Sequence, residues 1–314
     1  MSLAQRISNR LRRFSRACYW DLPNEKETVL LASSGRSGST WIQEIIARSG
    51  GYRVMFEPFH SRKIARLSSW NYRQYIEASD TGDAYVNDAD AILRGKVRHE
   101  WVDQDNAVRF PRRRLVKEIR GNLFLAWLKR RFPHLRIVFL TRHPFGVARS
   151  RLGLGWDSDL GLFFEQRDLM ANHFANDRDF LESIASPFAR QVAFWAMENI
   201  VPLRELTDDD AIAISYEDVK TDPLREIERI RGELGLPLSD LDLAEALKPS
   251  RTAWKKPHTV TLSDAERDES IEVLKRFDLD RLYGIDERKS PGFAHRNLFS
   301  EFPYSKQSKE SPLS

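Results

Sequence analysis

Apolar residues fall in five short blocks along the chain: Thr28–Ala32 (TVLLA), Tyr52–Phe56 (YRVMF), Leu115–Ile119 (LVKEI), Arg136–Thr141 (RIVFLT) and Ala211–Tyr216 (AIAISY). Blocks of this length, bounded by turn residues, predict strands buried on both faces. Between them, helix signals occupy Trp41–Ser49 (closed by Gly50-Gly51), Gly121–Arg131, a segment opened by Pro144, and residues 222–234. The alternation predicts an α/β fold, a single domain with a central parallel sheet flanked by helices. Between Gly153 and Asn176 the periodicity weakens, and a loop or short helices are expected. No internal repeat is visible.

Outside this block the pattern changes. Residues 1–27 read as a basic amphipathic arm, with Leu3, Ile7, Leu11, Phe14 and Cys18 at roughly helical spacing among Arg6, Arg10, Arg12, Arg13 and Arg16. Such a helix either packs on the main domain by one stripe or lies on an anionic membrane surface through residues 1–20. The main domain is expected over 28–289. Residues 290–314 form a Ser-, Lys- and Pro-rich tail, partly docked by Phe293, Phe299, Phe302 and Tyr304.

The composition narrows the function classes. At 41% hydrophobic and 11% aromatic residues, the chain can bury a sizeable core and is not a disordered segment. A net charge of +4 on 314 residues is mild and gives no reason to expect nucleic acid. One cysteine, Cys18, excludes an intramolecular disulfide framework and fits a reducing compartment. No apolar run approaches the ~20 residues of a membrane span, and the N-terminus lacks an apolar signal core. A cytoplasmic protein is the expectation.

Chemistry first shows in Ser33-Ser34-Gly35-Arg36-Ser37-Gly38-Ser39-Thr40, between the first strand and its helix. Small residues let backbone N–H groups converge on an anion, and the helix N-terminus adds the positive end of its dipole. Ser39 and Thr40 bring hydroxyl donors, and Arg36 a planar cationic fork. A nucleotide hydrolase or kinase needs Lys directly before the Ser or Thr. Here Gly38 is followed by Ser39, and the fourth strand runs into Thr141-Arg142-His143 rather than a magnesium-binding Asp. The loop suits phosphate without magnesium nucleotide chemistry.

The segment Ser34–Trp41 resembles the 5′-phosphosulfate loop of sulfotransferases that use 3′-phosphoadenosine-5′-phosphosulfate (PAPS), and Ile137–Arg151 (IVFLTRHPFGVARSR) resembles their 3′-phosphate motif. In that family an Arg at the strand end and a Ser eight residues later grip the 3′-phosphate, which falls here on Arg142 and Ser150. A weaker likeness covers about residues 28–285 and includes Tyr216-Glu217-Asp218-Val219 with Asp222-Pro223. Phe56-Glu57-Pro58 after an Arg-Ser-Gly-Ser loop is similar to carbohydrate 6-O-sulfotransferases and, more distantly, protein-tyrosine sulfotransferases. The resemblance implies PAPS as donor, PAP as product, no metal, and a hydroxyl-bearing acceptor, with a saccharide or glycolipid favoured over a phenolic, tyrosyl or small-molecule hydroxyl. The loop Ser34, Gly35, Arg36, Ser37, Gly38, Ser39, Thr40, with Arg142 and Ser150, would hold the donor. Ser250 and Arg251, followed by Trp254, stand where family members place a late cofactor loop.

Sulfuryl transfer needs a base for the hydroxyl proton and positive groups where negative charge grows. Glu57, after the second strand, is the expected base, chiefly because the resembling enzymes place a glutamate here; alternatively it caps the turn at Pro58 or pairs with an arginine. His60 and His99 are the competing bases, with His60 also an acceptor-side residue. Lys117 lies inside a strand, where charge is rare unless an anion faces it; the resemblance gives it the leaving oxygen, shared with Arg36. Arg120 is placed to bind sulfate or an acidic acceptor. For Lys117 and Arg120 the alternative is a surface ion pair with Glu118 or another carboxylate. Arg112-Arg113-Arg114 reads as a solvated charge run, with guidance of an anionic acceptor as the alternative.

Overall fold

The five apolar blocks are the five strands of one parallel sheet. In this computed structural model, which describes residues 18–22, 27–237, 261–283 and 298–301, they are β1 (Thr28–Ser33), β2 (Tyr52–Phe56), β3 (Arg113–Glu118), β4 (Arg136–Thr141) and β5 (Ala211–Ser215), in the order β2-β3-β1-β4-β5. The helices are α1 (Ser39–Arg48), α2 (Val86–Leu93), α3 (Leu125–Arg131), α4 (Pro144–Leu152), α5 (Gly161–Phe164), α6 (Arg167–His173), α7 (Arg178–Ser183), α8 (Pro187–Glu205), α9 (Tyr216–Thr221), α10 (Pro223–Leu234), α11 (Asp264–Arg276), α12 (Asp280–Tyr283) and α13 (Leu298–Glu301). Residues 1–17, the stretch with Ser250, Arg251 and Trp254, and most of the tail lie outside the described residues.

Period-two alternation sends neighbouring strand residues to opposite faces. Leu30, Ala32, Met55, Val116, Ile137 and Phe139 enter the larger core, with side chains of α3, α4, α8 and α11. Val29, Leu31, Val54, Leu115, Val138 and Leu140 enter the second core, against Ile42, Ile45 and Ile46 of α1 and Ile227, Ile230 and Leu234 of α10. Each fully buried aliphatic side chain contributes roughly 1.5–3 kcal/mol, so both faces hold the sheet.

β1 lies between β3 and β4. The chain leaves β1 toward β2 on one side and leaves β4 toward β5 on the other. Adjacent strands with connections that diverge open a crevice at their carboxyl ends, where ligands of open α/β sheets bind. The phosphate loop follows β1, and Arg142 follows β4.

Three expectations are corrected. β3 starts at Arg113 rather than Leu115, because Arg113 and Arg114 already pair with Tyr52 and Arg53 of β2. The basic run is not a solvated one: Arg114 is fully buried and pairs with Asp21 at 2.8 Å, Arg113 is half-buried against Glu27 at 3.1 Å, and only Arg112 is exposed. Before α3 the chain makes a separate 3-10 turn, Asn122–Phe124. Here the Glu118 carboxylate takes the N–H groups of Ile119 and Arg120 and holds the exit from β3 in a turn.

Helix α8 runs through the larger core with buried residues on every side. A helix apolar all round carries no amphipathic period, so the sequence pattern leaves it unannounced. Ser186 caps it by accepting from the N–H groups of Phe188 and Ala189, and Pro187 occupies the first turn. Phe299 of α13 is buried against Phe139. No helix among the described residues is long and apolar enough to cross a membrane.

Candidate active site

The loop after β1 is shaped by close approach. Ser34 and Ser37 are buried and their hydroxyls meet at 2.9 Å. A Cβ on Gly35 would sit 2.7 Å from the Trp156 ring. Gly38 caps α1 with φ +94°, and a Cβ there would meet the Tyr216 ring at 2.5 Å. Ser39 and Thr40 open α1, where the first N–H groups have no carbonyl within the helix. Arg36 takes a positive φ of 76° and donates its Nε to Ser150 Oγ at 2.9 Å.

That bond joins the two expected phosphate motifs. Arg142 donates to the Arg36 carbonyl at 3.1 Å, and its guanidinium lies 4.5 Å from the centre of the Tyr216 ring. His143 caps α4 by accepting the Phe145 N–H on Nδ1 at 3.1 Å, and Pro144 occupies the first helical turn. One residue beyond Ser150, the buried Arg151 donates to the Gly35 carbonyl at 3.2 Å and pairs with Glu198 of α8 at 2.6 Å. Glu198 also pairs with buried Arg73, which donates to the Ile119 carbonyl at 3.2 Å.

Three guanidiniums therefore crowd this crevice. Burial, and then Arg142 and Arg151, pull the pKa of Arg36 below its ordinary value. Glu198 offsets Arg151, while Glu217 accepts the His143 N–H at 3.1 Å and has its carboxyl pushed up by burial. Like charges held together at a helix N-terminus are chemically suited to an anion.

At the neighbouring strand ends a carboxylate stands among cations. Glu57, just past β2, is buried with φ 45°, and its N–H donates to the Lys117 carbonyl at 2.7 Å. Its carboxylate takes Arg120 at 2.5 Å and Lys117 Nζ at 3.6 Å. Lys117 lies 4.3 Å from the Phe56 ring centre, and burial lowers its pKa against the opposing pull of Glu57. The register aligns Lys117 with both Phe56 and Leu31. β2, which Glu57 follows, thus lies two strand spacings, about 10 Å, from β1, which the loop follows.

The ion pairs answer one sequence alternative in a particular way: Lys117 and Arg120 both pair with Glu57, not Glu118, with Lys117 buried and Arg120 half-buried. Glu118 instead accepts N–H groups from Phe59, Ile119 and Arg120. Its carboxyl is pushed up to about 7 by burial and then by Glu57.

His60 is buried three residues past Glu57. Its imidazole is pulled down to about 4 by burial, then by Arg120, Lys63 and Arg62, and its Nδ1 has no hydrogen-bond partner. His99 is exposed and is not brought to this group; its Nδ1 accepts the Trp101 N–H at 3.1 Å. Sequence reasoning missed Arg151, Glu198 and Arg73, the supports behind the loop. The signal for Glu198 was a carboxylate within an apolar helix, a position rarely filled without a partner. It also missed Tyr72, the hydroxyl of which accepts Arg120 Nε at 2.6 Å.

A model described as "Sulfotransferase family" matches residues 29–240 of the chain. Among solved structures, the chain is similar to the sulfotransferase domain of the Synechococcus PCC 7002 olefin synthase, with a TM-score of 0.44 and 16% identity over 83% of this chain and 98% of that one. It is also similar to the sulfotransferase STF1 of Mycobacterium tuberculosis, with a TM-score of 0.42 and 11% identity over 81% and 77% of the two chains. A mouse sulfotransferase complexed with PAP gives a TM-score of 0.39 and 13% identity over 87% and 93%. No curated protein matches the chain.

Proposed function

The chain belongs to the sulfotransferase family, and from that premise we propose that it transfers the sulfuryl group of PAPS to an acceptor hydroxyl by in-line displacement, with Glu57 as general base. The observation that carries this reading is the joining of Arg36, Arg142 and Ser150 at the β1–β4 crevice. Two anionic groups fit there. The loop and the α1 N-terminus suit a 5′-phosphosulfate, and Arg142 with Ser150 suits a 3′-phosphate. Bound there, PAPS supplies the sulfuryl group.

The remaining roles fall to side chains of this chain. Glu57 takes the acceptor's proton as the hydroxyl attacks. Lys117 and Arg36 hold positive charge where negative charge grows on the leaving oxygen. Lys117 is buried, and Glu57 supports its charge. His60 and Arg120 line the acceptor side. A saccharide or glycolipid hydroxyl is the acceptor favoured by the likeness of Phe56-Glu57-Pro58 to carbohydrate 6-O-sulfotransferases. A second reading keeps the reaction and moves the base to His60, favoured by its neutral imidazole and its partnerless Nδ1.

Calorimetry with PAP and 5′-AMP tests the donor assignment. PAP is expected to bind far more tightly, and Arg142→Ala to weaken it at least tenfold, since a charge-assisted hydrogen bond contributes roughly 1.5–3 kcal/mol. Equal affinities for the two nucleotides would refute the 3′-phosphate role. Radiolabelled PAPS offered with oligosaccharides, glycolipids, phenols and tyrosine peptides identifies the acceptor.

A further inference from the structure

Past Glu57 the chain leaves the sheet and is tied back at Arg73; of the exposed basic side chains of this excursion, Arg66 pairs with Asp88 at 2.7 Å, whereas Arg62 and Lys63 are held on rings. Arg62 is exposed, yet its guanidinium lies 4.0 Å from the centre of the Tyr72 ring. Lys63 is also exposed, with its ammonium 5.6 Å from the Trp101 ring centre. His60 stands between the two rings, 5.2 Å from Tyr72 and 5.4 Å from Trp101. The Tyr72 hydroxyl accepts from Arg120, which is the partner of Glu57. A continuous line therefore runs from the Glu57 carboxylate through Arg120 and Tyr72 to Arg62 at the surface.

The charges along this line do not balance. Glu57 matches Lys117 and Arg120 at the buried end, with Glu118 behind. Among the described residues neither Arg62 nor Lys63 has a carboxylate partner; each has only its ring. A surface Lys or Arg is ordinarily a mobile, solvated charge. A cation within about 6 Å of a ring centre is attracted by the ring's quadrupole, so less freedom is lost when an anion arrives. Two cations held on rings, one of them at the surface end of the line of contacts that starts at Glu57, and lacking carboxylate partners among the described residues, describe a recognition site for negative charge.

We propose that Arg62 and Lys63 form an acceptor subsite for an anionic substituent, so that the acceptor is an acidic saccharide with its negative group at these two residues and its hydroxyl toward Glu57. This rests on the reading of the Glu57 side as the acceptor side. Lys117 and Arg120 offset the negative charge that Glu57 would otherwise set against such a molecule. Tyr72 acts as a positioning residue for Arg62.

The test uses the full chain loaded with PAP and titrated calorimetrically with trigalacturonate and with a neutral galactose trisaccharide. The charged sugar is expected to bind at least tenfold more tightly, with a preference that shrinks as salt is raised. Arg62→Ala and Lys63→Ala are each expected to weaken it several-fold, and the double substitution to erase the preference at an unchanged melting temperature. Tyr72→Ala, which removes no charge, is expected to mimic Arg62→Ala. The double substitution separates this subsite from binding to other basic side chains. PAP affinity gauges the donor reading separately, since failure of the wild type to bind PAP defeats that reading alone. A charged sugar that binds no better than the neutral one, or a preference that survives the double substitution, overturns the acidic-acceptor proposal.

Discussion

Replacing Gly38 by Ala perturbs the donor crevice by a single methyl group, and the outcome follows from two separable effects. The first is backbone strain: φ is +94°, and a left-handed conformation costs a non-glycine residue roughly 1–2 kcal/mol. The second is displacement of the Tyr216 ring, two atoms of which would lie 2.5 and 2.9 Å from the new Cβ. That ring supports Arg142 by a cation–π contact and meets Trp41 edge-on at 6.4 Å. Contacts of these kinds each contribute about 0.5–1.5 kcal/mol. Gly50→Ala isolates the strain, because Gly50 has φ +80° and nothing within 4 Å of its added Cβ. Gly38→Ala should thus destabilise the fold by about 1–2 kcal/mol more than Gly50→Ala does, and should weaken PAP about tenfold, whereas Gly50→Ala leaves PAP binding alone. Thermal unfolding and PAP calorimetry on the two variants provide the comparison. Equal destabilisation with wild-type PAP affinity in both would refute the role assigned to Tyr216 beneath Arg142.

Further outcomes follow from the same geometry. Glu57→Gln should keep PAP affinity near wild type and lower single-turnover transfer by about 10²–10⁴-fold, the usual worth of a general base; a greater loss in His60→Ala than in Glu57→Gln would move the base to His60. Lys117→Ala should reduce turnover more than PAP affinity, because its charge is needed most as the leaving oxygen develops; an unchanged kcat returns it to a structural ion pair. Gly232→Ala, in the interior of α10 with nothing within 4 Å, should stabilise the chain by roughly 0.5–1 kcal/mol without altering PAP binding, as read from denaturant midpoints. His60, pulled from 6.5 down to about 4, refuses in the folded state a proton that the unfolded chain accepts. Its contribution is complete above about pH 6.5 and is lost as pH falls from there toward 4. Unfolding curves of His60→Gln should show a shallower acid loss than wild type across that window.

The parts legible in the sequence are those with local causes. β1 with its loop and α1, and β4 with Arg142 and Pro144, each carry their pattern within a dozen or so residues. Lys117 stood out because a charge interrupts an apolar block, and Glu57 through the likeness of Phe56-Glu57-Pro58 to carbohydrate 6-O-sulfotransferases. What escaped depends on partners far along the chain. Arg114 read as part of a solvated run, since its carboxylate, Asp21, is 93 residues away. Arg73 joins Glu198 across 125 residues, and Arg151 reaches Gly35 across 116. Neither partner can be named from local sequence: Glu198 shows only as a carboxylate in an apolar stretch, and the helix that carries it is buried on every side and shows no period.

The excursion between Phe59 and Arg73 is fastened at both ends to the exit of β3. The Phe59 N–H donates to the Glu118 carboxylate at 2.9 Å, and Arg73 donates to the carbonyl of the very next residue, Ile119. Residues 60–72 are thus a cassette clipped to two adjacent points of a rigid strand. Ile64, Leu67 and Trp70 anchor this stretch in the larger core, so new sequence can be written at its exposed positions, Arg62 and Lys63 among them, while Glu57 and Lys117 keep their register with the sheet. On the acceptor-side reading proposed above, acceptor preference in this chain can drift, or be redesigned, at those exposed positions without disturbing the donor crevice, provided that Glu118, Arg73 and the core residues are left in place.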